Sequence, residues 1–328
     1  ANVPICIGAA DENFGPNELS YIFLDEYSRL GIYDPKIHIR YNKYTSDAML
    51  RKIFENIRLG HNSYVFLNDS VISASLENIG IDKSDSMDYA IVGCYEPCVN
   101  GKEVPCSCNG RINMPKAIEF VLNNGLDVKT GKIAGLNTGA LTNFLIFEDF
   151  YNAVKKQIEY FANSTMEFIT DVEKKYPQIH TAPMLSMSFG SCMENGIDAY
   201  EGGADYNNSS INAFGIANLV DSLEVIRYIV YENGEMTLEE FAKIVLNNWE
   251  GYEKLRLRCK KDFPKYGNDD AEADNLATEL MSYTASLING KSNGRGGIFR
   301  FGAFSIDWRI YFGGGTWATP DGRLAGDP

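Results

Sequence analysis

Histidine is scarce in this chain: there are three among 328 residues, and His38, His61 and His180 stand far apart in the sequence. Single, scattered histidines are typical of structural positions, so the sequence does not favour a histidine-based metal or catalytic centre. An excess of basic residues is also missing, because 44 Asp and Glu outnumber 30 Lys and Arg, for a formal charge of −14. An acidic surface repels nucleic-acid backbones and anionic membranes, and we expect neither as a partner.

Long apolar runs are absent too. No stretch reaches the roughly eighteen apolar residues of a membrane-spanning helix, and Ala1 is not followed by the basic and apolar regions of a signal peptide. The glycines of residues 202–207 lack both the P-loop lysine and the Gly-x-Gly-x-x-Gly order, so we expect them to permit close backbone packing instead of binding phosphate. These absences lead us to expect a cytoplasmic protein.

Paired Cys-x2-Cys elements, the usual mark of zinc and iron–sulfur sites, are missing as well. Of the seven cysteines, four lie close together at Cys94, Cys98, Cys106 and Cys108, and their spacing matches none of the usual metal patterns. A long chain with a core of its own does not need a disulfide framework, so we expect reduced thiols and no metal. A metal-binding module built on this cluster stays open as the alternative.

Strand and helix patterns alternate at the start of the chain. They predict helices at residues 17–30, 45–60 and 71–79 and strands at 36–41, 65–67 and 88–92. Further along they predict helices at 116–122, 146–176, 216–231 and 238–246, strands at 184–188 and 298–304, and loops at 262–274, 294–297 and 313–315. The long helix has an apolar face formed by Phe150, Val154, Ile158, Phe161 and Phe168. The alternation predicts an α/β fold with largely parallel strands.

Residues 93–97, Gly-Cys-Tyr-Glu-Pro, are the most informative stretch. Gly93 frees the backbone and Pro97 fixes φ, which predicts a tight loop after a short buried strand. Residues two apart in an extended loop point to one side, so Cys94 and Glu96 are expected to face a common pocket. A sulfur that takes a hydrogen atom beside a carboxylate that takes a proton suits an elimination reaction.

With its surroundings, this stretch resembles the catalytic cysteine loop of the glycyl radical enzymes. Landmarks similar to those of the family follow in the same order at residues 17–21, 37–42, 57–60, 66–69, 201–207, 215–223 and 318–326. The resemblance implies a ten-stranded α/β barrel with the cysteine loop at its centre, of which residues 1–328 are a single segment. It also implies that Cys94 forms a transient thiyl radical that removes a hydrogen atom from the substrate.

Residues 95 and 96 separate the branches of the family. The pyruvate formate-lyase branch has a second cysteine where Tyr95 stands, so acyl transfer is disfavoured, whereas Glu96 resembles the base of diol, choline and hydroxyproline eliminases. We therefore expect a lyase that releases water or another β leaving group. A radical decarboxylase, a formate acetyltransferase-like enzyme and a non-catalytic part that needs a complementing chain are the alternatives.

Three further residues are expected to bind the substrate: Tyr95, Ser107 and Arg111. Ser107 belongs to a small, polar stretch, residues 106–109, where related enzymes commonly have bulkier aromatics. The resemblance therefore implies a site shaped for something other than choline. The planar guanidinium of Arg111 suits a substrate carboxylate, and a structural salt bridge is an equally open role for it.

The family stores its radical on a glycine in a C-terminal Arg-Val-x-Gly-Tyr-type loop, and no such loop occurs in this sequence. We therefore expect an N-terminal portion and a C-terminal glycyl radical domain to lie outside this chain, which should be inactive alone and bind no cofactor itself. The resemblance implies a radical S-adenosylmethionine activating enzyme, a small-molecule substrate and a homodimer in the anaerobic cytoplasm.

Overall fold

The computed structural model describes residues 5–8, 11, 15–93, 95–105, 108–303 and 308–328. Within these ranges the strands are β1 (Ile5–Ile7), β2 (Ile37–Tyr41), β3 (Tyr64–Asn68), β4 (Tyr89–Val92), β5 (Glu96–Val99), β6 (Gly110–Asn113), β7 (Leu126–Asp127), β8 (Lys132–Ile133), β9 (Ser209–Phe214) and β10 (Phe299–Ala303). The helices are α1 (Glu18–Leu30), α2 (Asp47–Arg58), α3 (Asp69–Asn78), α4 (Lys83–Ser86), α5 (Lys116–Leu122), α6 (Phe147–Glu173), α7 (Tyr176–Ile179), α8 (Pro183–Ser186), α9 (Gly190–Asn195), α10 (Ile216–Ile226), α11 (Leu238–Leu246), α12 (Glu253–Lys261), α13 (Ala271–Ile288) and α14 (Arg309–Gly315). A π-helical turn, Arg227–Glu232, continues α10.

The described residues divide into two compact units. Unit 1 takes its residues from 1–107, 172–209 and 292–298, and unit 2 from 108–171, 210–291 and 299–328. No helix in the described part of the chain is long and apolar enough to cross a membrane. That residues 1–328 form a single segment of one barrel domain stays a prediction.

The core of unit 1 forms around a parallel sheet in which β1, β2 and β3 lie side by side. Ile37 and Ile39 of the central strand are fully buried. Leu24 of α1 and Met49 of α2 belong to the same apolar cluster, so the two helices cover the sheet. This arrangement follows from the alternation of strand and helix patterns.

Local signals set where the first helices begin and end. The Asn17 side chain accepts a hydrogen bond from the Ser20 N–H at 3.1 Å and caps α1, and Gly31 ends that helix with a φ of 60°. Ser46 caps α2 by accepting from the Met49 N–H at 3.3 Å. The strands and helices predicted between residues 17 and 92 are confirmed, with ends within a few residues of those expected.

The strand predicted at residues 184–188 is wrong, because the segment begins with α8. Pro183 occupies the first turn of this helix, where its missing N–H leaves no hydrogen bond unmade. The Asp198 carboxylate accepts from the Ala182 N–H and from the Ser186 hydroxyl, both at 2.9 Å, and so fixes the turn. A short apolar run was mistaken for a strand where side-chain hydrogen bonds favour a helix.

The glycines of residues 202–207 pack against backbone, as expected. A Cβ atom on Gly203 would lie 2.3 Å from the carbonyl oxygen of Ile197. One on Gly202, whose φ is 96°, would lie 2.6 Å from the carbonyl oxygen of Arg295. Only glycine fits at either position.

Unit 2 contains a second sheet, in which β9 lies between β10 and β6. β6 and β9 are parallel, with Gly110 opposite Ile211 and Asn113 opposite Phe214. Every residue of β9 is buried. Phe150 of α6 and Leu223 of α10 belong to the large apolar cluster of this unit. The α/β fold class is confirmed by both units.

The apolar face of α6 differs in part from the prediction. Phe150 and Ile158 are fully buried, but the Phe168 side chain is 70% exposed. The buried stripe instead continues through Met166 and Ile169. A helix has 3.6 residues per turn, so a face extrapolated over many turns drifts away from the one that meets the core.

The loop predicted at residues 313–315 is wrong, since these glycines form the last turn of α14. Glycine has a low helix propensity, which is why the sequence pattern indicates a loop. Tertiary packing decides otherwise: a Cβ atom on Gly313 would lie 2.1 Å from the carbonyl oxygen of Asp327. Close backbone approach explains the glycine there.

A buried carboxylate in α10 makes the stability of unit 2 depend on pH. Burial raises the pKa of Glu224 to about 7, against the opposing effect of Arg227, whose Nη1 lies 3.3 Å from Oε2. A folded-state pKa above the unfolded one gives stability that is present at low pH and is lost as pH rises through about 7. Glu224→Gln should remove this loss, and we expect it to stabilise the protein by roughly 1–3 kcal/mol at high pH relative to low pH.

The measurement is the thermal midpoint of the wild-type protein and of Glu224→Gln at about pH 5.5 and about pH 8. Glu239→Gln is the matched control, because Glu239 lies on α11 of the same unit and is exposed. A midpoint difference between wild type and Glu224→Gln that does not change with pH would contradict the assignment.

Candidate active site

The Gly-Cys-Tyr-Glu-Pro stretch lies at the turn of an antiparallel hairpin formed by β4 and β5. Val92 pairs with Glu96 and Ile91 with Pro97, and Gly93 and Tyr95 lie in the turn between the two strands. Gly93 has a φ of 63°, in the left-handed region that favours glycine. The prediction of a tight loop over residues 93–97 is therefore wrong in part. Pro97 belongs to a strand, which a hairpin edge tolerates because only one ladder donor is lost.

Cys94 itself lies outside the described residues, as do Cys106 and Ser107. The roles expected for Cys94 and Ser107 stay predictions. What the structure gives is the frame around Cys94: Gly93 on one side, and Tyr95 and Glu96 on the other.

Glu96 is a buried carboxylate, with 9% of the residue exposed. Its Oε2 accepts a hydrogen bond from the backbone N–H of Tyr95 at 3.0 Å, which orients the side chain back toward the turn. A carboxylate withdrawn from bulk water and oriented by a backbone donor has the chemistry of a general base. Its role as the base stays a prediction.

Tyr95 is 39% exposed and ties the turn to β2. Its hydroxyl accepts a hydrogen bond from Nζ of Lys36 at 3.1 Å, and the same ammonium lies 4.8 Å from the ring centroid. The ring of His38 meets the Tyr95 ring edge-on at 6.2 Å between centroids. Lys36 and His38 were not expected here from the sequence, because they lie almost sixty residues before the turn.

Arg111 belongs to unit 2, at the second position of β6, and its side chain is exposed. The guanidinium carbon lies 3.7 Å from the centroid of the Trp308 ring, a cation–π stack. Within the part of the chain that the structure describes, no carboxylate lies within ion-pair distance of Arg111, so the salt-bridge alternative has no partner there. Contact with a substrate carboxylate stays a prediction.

The described cysteines of the central cluster have separate surroundings. Cys98 is buried in the hairpin of unit 1, and its Sγ donates to the carbonyl oxygen of Glu103 at 3.3 Å. Cys108, in unit 2, accepts from Nδ2 of Asn212 at 3.0 Å. Among the described residues no group of three or more His, Cys, Asp or Glu side chains could hold a metal ion. Elsewhere in the described residues, Cys6, Cys192 and Cys259 are free thiols.

A buried polar network lies at the start of β4. Asp69, the first residue of α3, accepts hydrogen bonds from Nε of Arg40 at 2.9 Å, from the hydroxyl of Tyr89 at 2.5 Å and from Nδ2 of Asn42 at 2.9 Å. Arg40 also donates from Nη2 to the carbonyl oxygen of Met87 at 2.8 Å. Burial, and then the hydrogen bond to Asp69, raise the pKa of Tyr89, so its hydroxyl remains a donor.

A second buried carboxylate holds β5. Oε2 of Glu103 accepts from the backbone N–H of Val99 at 3.0 Å, and Oε1 accepts from Nδ2 of Asn208 at 3.0 Å. Sequence analysis assigned no role to Asp69 or Glu103. Asp69 and Arg40 lie in stretches that resemble family landmarks, and this was the one signal that could have drawn attention to them.

Comparisons with known proteins show which family the chain is similar to. The model of the "Pyruvate formate lyase-like" family matches residues 2–313. Trans-4-hydroxy-L-proline dehydratase of Clostridioides difficile is 32% identical over 318 residues, which are 97% of this chain and 40% of the relative. (2S)-3-sulfopropanediol dehydratase of Klebsiella oxytoca is 29% identical over 327 residues, 99% of this chain and 40% of the relative.

The fold is also that of a solved relative. The glycerol-bound B12-independent glycerol dehydratase from Clostridium butyricum superposes with a TM-score of 0.92 at 30% identity, over 100% of this chain and 42% of that chain. This chain thus spans about 40% of the length of the curated relatives it matches. The mixed α/β fold expected from the resemblance is confirmed, and closure of a ten-stranded barrel stays a prediction. Since the family model covers most of its length, the chain belongs to the pyruvate formate lyase-like family of glycyl radical enzymes.

Proposed function

We propose that this chain is the part of a glycyl radical lyase, of the dehydratase or eliminase type, that carries the hydrogen-abstracting thiol and the general base. Cys94 is the thiol and Glu96 the base. The observation that supports the proposal is that the carboxylate of Glu96, two residues after Cys94 in the sequence, is buried and accepts a hydrogen bond from the Tyr95 N–H. The dehydratases among the relatives support the same reaction class.

The reaction divides between the two side chains. Cys94 would first give up its S–H hydrogen atom to the glycyl radical of the complete protein, which would leave a thiyl radical on the sulfur. The sulfur of Cys94 then takes a hydrogen atom from a substrate carbon that bears a hydroxyl group. Glu96 removes the hydroxyl proton, which drives the neighbouring β group out with its bonding electron pair. The proton passes to the leaving group, and Cys94 returns its hydrogen atom to the product.

Tyr95 and Arg111 are the described residues that we assign to substrate binding, together with Ser107. The Tyr95 hydroxyl, held by Lys36, offers a polar contact beside Glu96. Arg111 uses the face of its guanidinium on Trp308, and its donor edge suits a carboxylate or a sulfonate. Small polyhydroxylated, amino or sulfonated compounds fit these groups.

The proposed setting follows from the family. A radical S-adenosylmethionine enzyme installs the radical on the complete protein, which acts as a homodimer in the anaerobic cytoplasm. Acyl transfer is disfavoured, because Tyr95 stands where a second cysteine would be needed.

The test is product analysis with the full-length protein after anaerobic activation. Diols, amino alcohols, hydroxyprolines and hydroxysulfonates are offered one at a time, and the products are identified by mass spectrometry. We expect one class to lose water, amine or sulfite. Release of carbon dioxide, or of formate with acetyl transfer, would overturn the proposal.

A further inference from the structure

Both strands of the hairpin are anchored at the same residue pair of the ladder. Tyr89 pairs with Val99 in the ladder. The Tyr89 side chain donates to Asp69, and the Val99 backbone N–H donates to Glu103. Asp69 and Glu103 are each 1% exposed. Two buried carboxylates from outside the hairpin therefore hold the end opposite to the turn.

Arg40 makes two further contacts that fix the position of β4. Its guanidinium carbon lies 4.2 Å from the centroid of the Tyr89 ring, while Nη2 reaches the carbonyl oxygen of Met87, two residues earlier. Arg40 thus contacts the backbone before β4 and the first side chain of β4. Asn42 satisfies the other oxygen of Asp69.

This network is better suited to fixing the position of β4 than to making the fold more stable. Buried ion pairs seldom stabilise a fold more than apolar residues would, because desolvation offsets their attraction, but they tolerate no loss of a partner. A slip of β4 by one residue would turn Tyr89 to the other face and remove a donor from Asp69. The hydrogen bond between Tyr89 and Asp69 therefore fixes the register of β4 and its position along the strand direction.

We propose that Asp69, Arg40 and Tyr89 form a positioning network that sets the place of the reactive turn. The inference rests on the proposed roles of Cys94 and Glu96. Three residue steps along β4 separate the Tyr89–Val99 pair from the far end of the hairpin, at Val92 and Glu96. That span is about 10 Å of strand, short enough to transmit a fixed position. Misplacement of reacting groups by about 1 Å can cost a factor of about 100 in rate.

The test is Tyr89→Phe in the activated full-length protein, since this change deletes one hydroxyl group and keeps the ring under Arg40. We expect kcat to fall by about 10- to 100-fold. KM and the glycyl radical content measured by electron paramagnetic resonance should stay near wild-type values. The thermal midpoint should fall by only a few degrees, because Arg40 and Asn42 still donate to Asp69. A purely structural role would make kcat fall as the midpoint falls, and equally in a variant that loses a comparable hydroxyl elsewhere in unit 1.

Tyr206→Phe is the matched control. Tyr206 also donates its hydroxyl to a carboxylate of unit 1, Oδ2 of Asp85 at 2.8 Å, but it lies outside the hairpin. We expect its kcat to stay within about twofold of wild type, since nothing in the hairpin moves. An unchanged kcat in Tyr89→Phe, a fall that follows the midpoint or the radical content, or an equal fall in Tyr206→Phe would each overturn the inference. A wild-type protein that eliminates nothing would instead refute the proposed function.

Discussion

Cys94→Ser is expected to abolish turnover in the activated full-length protein while leaving the glycyl radical signal at its wild-type level. The physical reason is bond strength: a serine O–H holds its hydrogen atom too strongly to relay it between the radical and the substrate. The radical is stored elsewhere in the complete protein, so its installation does not depend on this thiol. Radical content is measured by electron paramagnetic resonance and turnover by an anaerobic product assay.

The control for this experiment is Cys98→Ser. Cys98 lies in the same hairpin, and its thiol donates to the carbonyl oxygen of Glu103, which a serine hydroxyl can also do. This variant should keep turnover near the wild-type rate. Appreciable turnover by Cys94→Ser would refute the assignment of Cys94 as the abstracting thiol.

Glu96→Gln is expected to lower kcat by a factor of about 10² to 10⁴ with little change in KM. The amide keeps the side-chain volume and an oxygen that can accept from the Tyr95 N–H, as Oε2 does at 3.0 Å. It cannot accept a proton, however, and so the step that expels the leaving group is lost. Steady-state kinetics with the substrate identified by product analysis give both constants.

Glu55→Gln makes the same chemical change at an exposed position on α2 of the same unit. This control should behave as wild type. If Glu96→Gln kept most of its kcat, or lost activity only through a higher KM, Glu96 would be a binding residue and not the base.

Much of the start of the fold was predictable because local signals and tertiary structure agree there. The helices and strands from Glu18 to Val92 combine clear periodicity with end signals such as Asn17 and Gly31. The strand β9 was not predictable. Its sequence, Ser-Ser-Ile-Asn-Ala-Phe, is half polar, yet every residue is buried, because Ser210 and Asn212 find partners in Asn109 and Cys108. Burial there depends on neighbours that no local pattern contains.

Helices α12 and α13 were missed for a related reason. α12 is mostly charged, and only Cys259 in it is buried. The buried face of α13 mixes Leu276, Leu280 and Ile288 with the smaller Ala273, Ala277 and Thr284, so its apolar stripe is weaker in the sequence than one of large residues alone. Packing against the rest of unit 2 keeps both segments helical.

The candidate site was predictable only in its central motif. Residues 93–97 stand out because a thiol and a carboxylate lie two residues apart, but Pro97 indicates a loop where the structure has a strand. The supports of the turn come from elsewhere: Asp69 lies 20 residues before Tyr89 and 29 after Arg40. Polar partners so far apart are brought together by the fold, and no spacing rule predicts them.

The most direct measurement of the central claim is the fate of a deuterium label in Glu96→Gln. The activated full-length variant is given substrate deuterated at the carbon that Cys94 attacks. The unreacted substrate is then recovered, and its deuterium content is measured by mass spectrometry. If abstraction by Cys94 precedes proton removal by Glu96, the label should be lost slowly to solvent while almost no product forms. Retention of the full label, or product formation at the wild-type rate, would contradict the division of roles between these two residues.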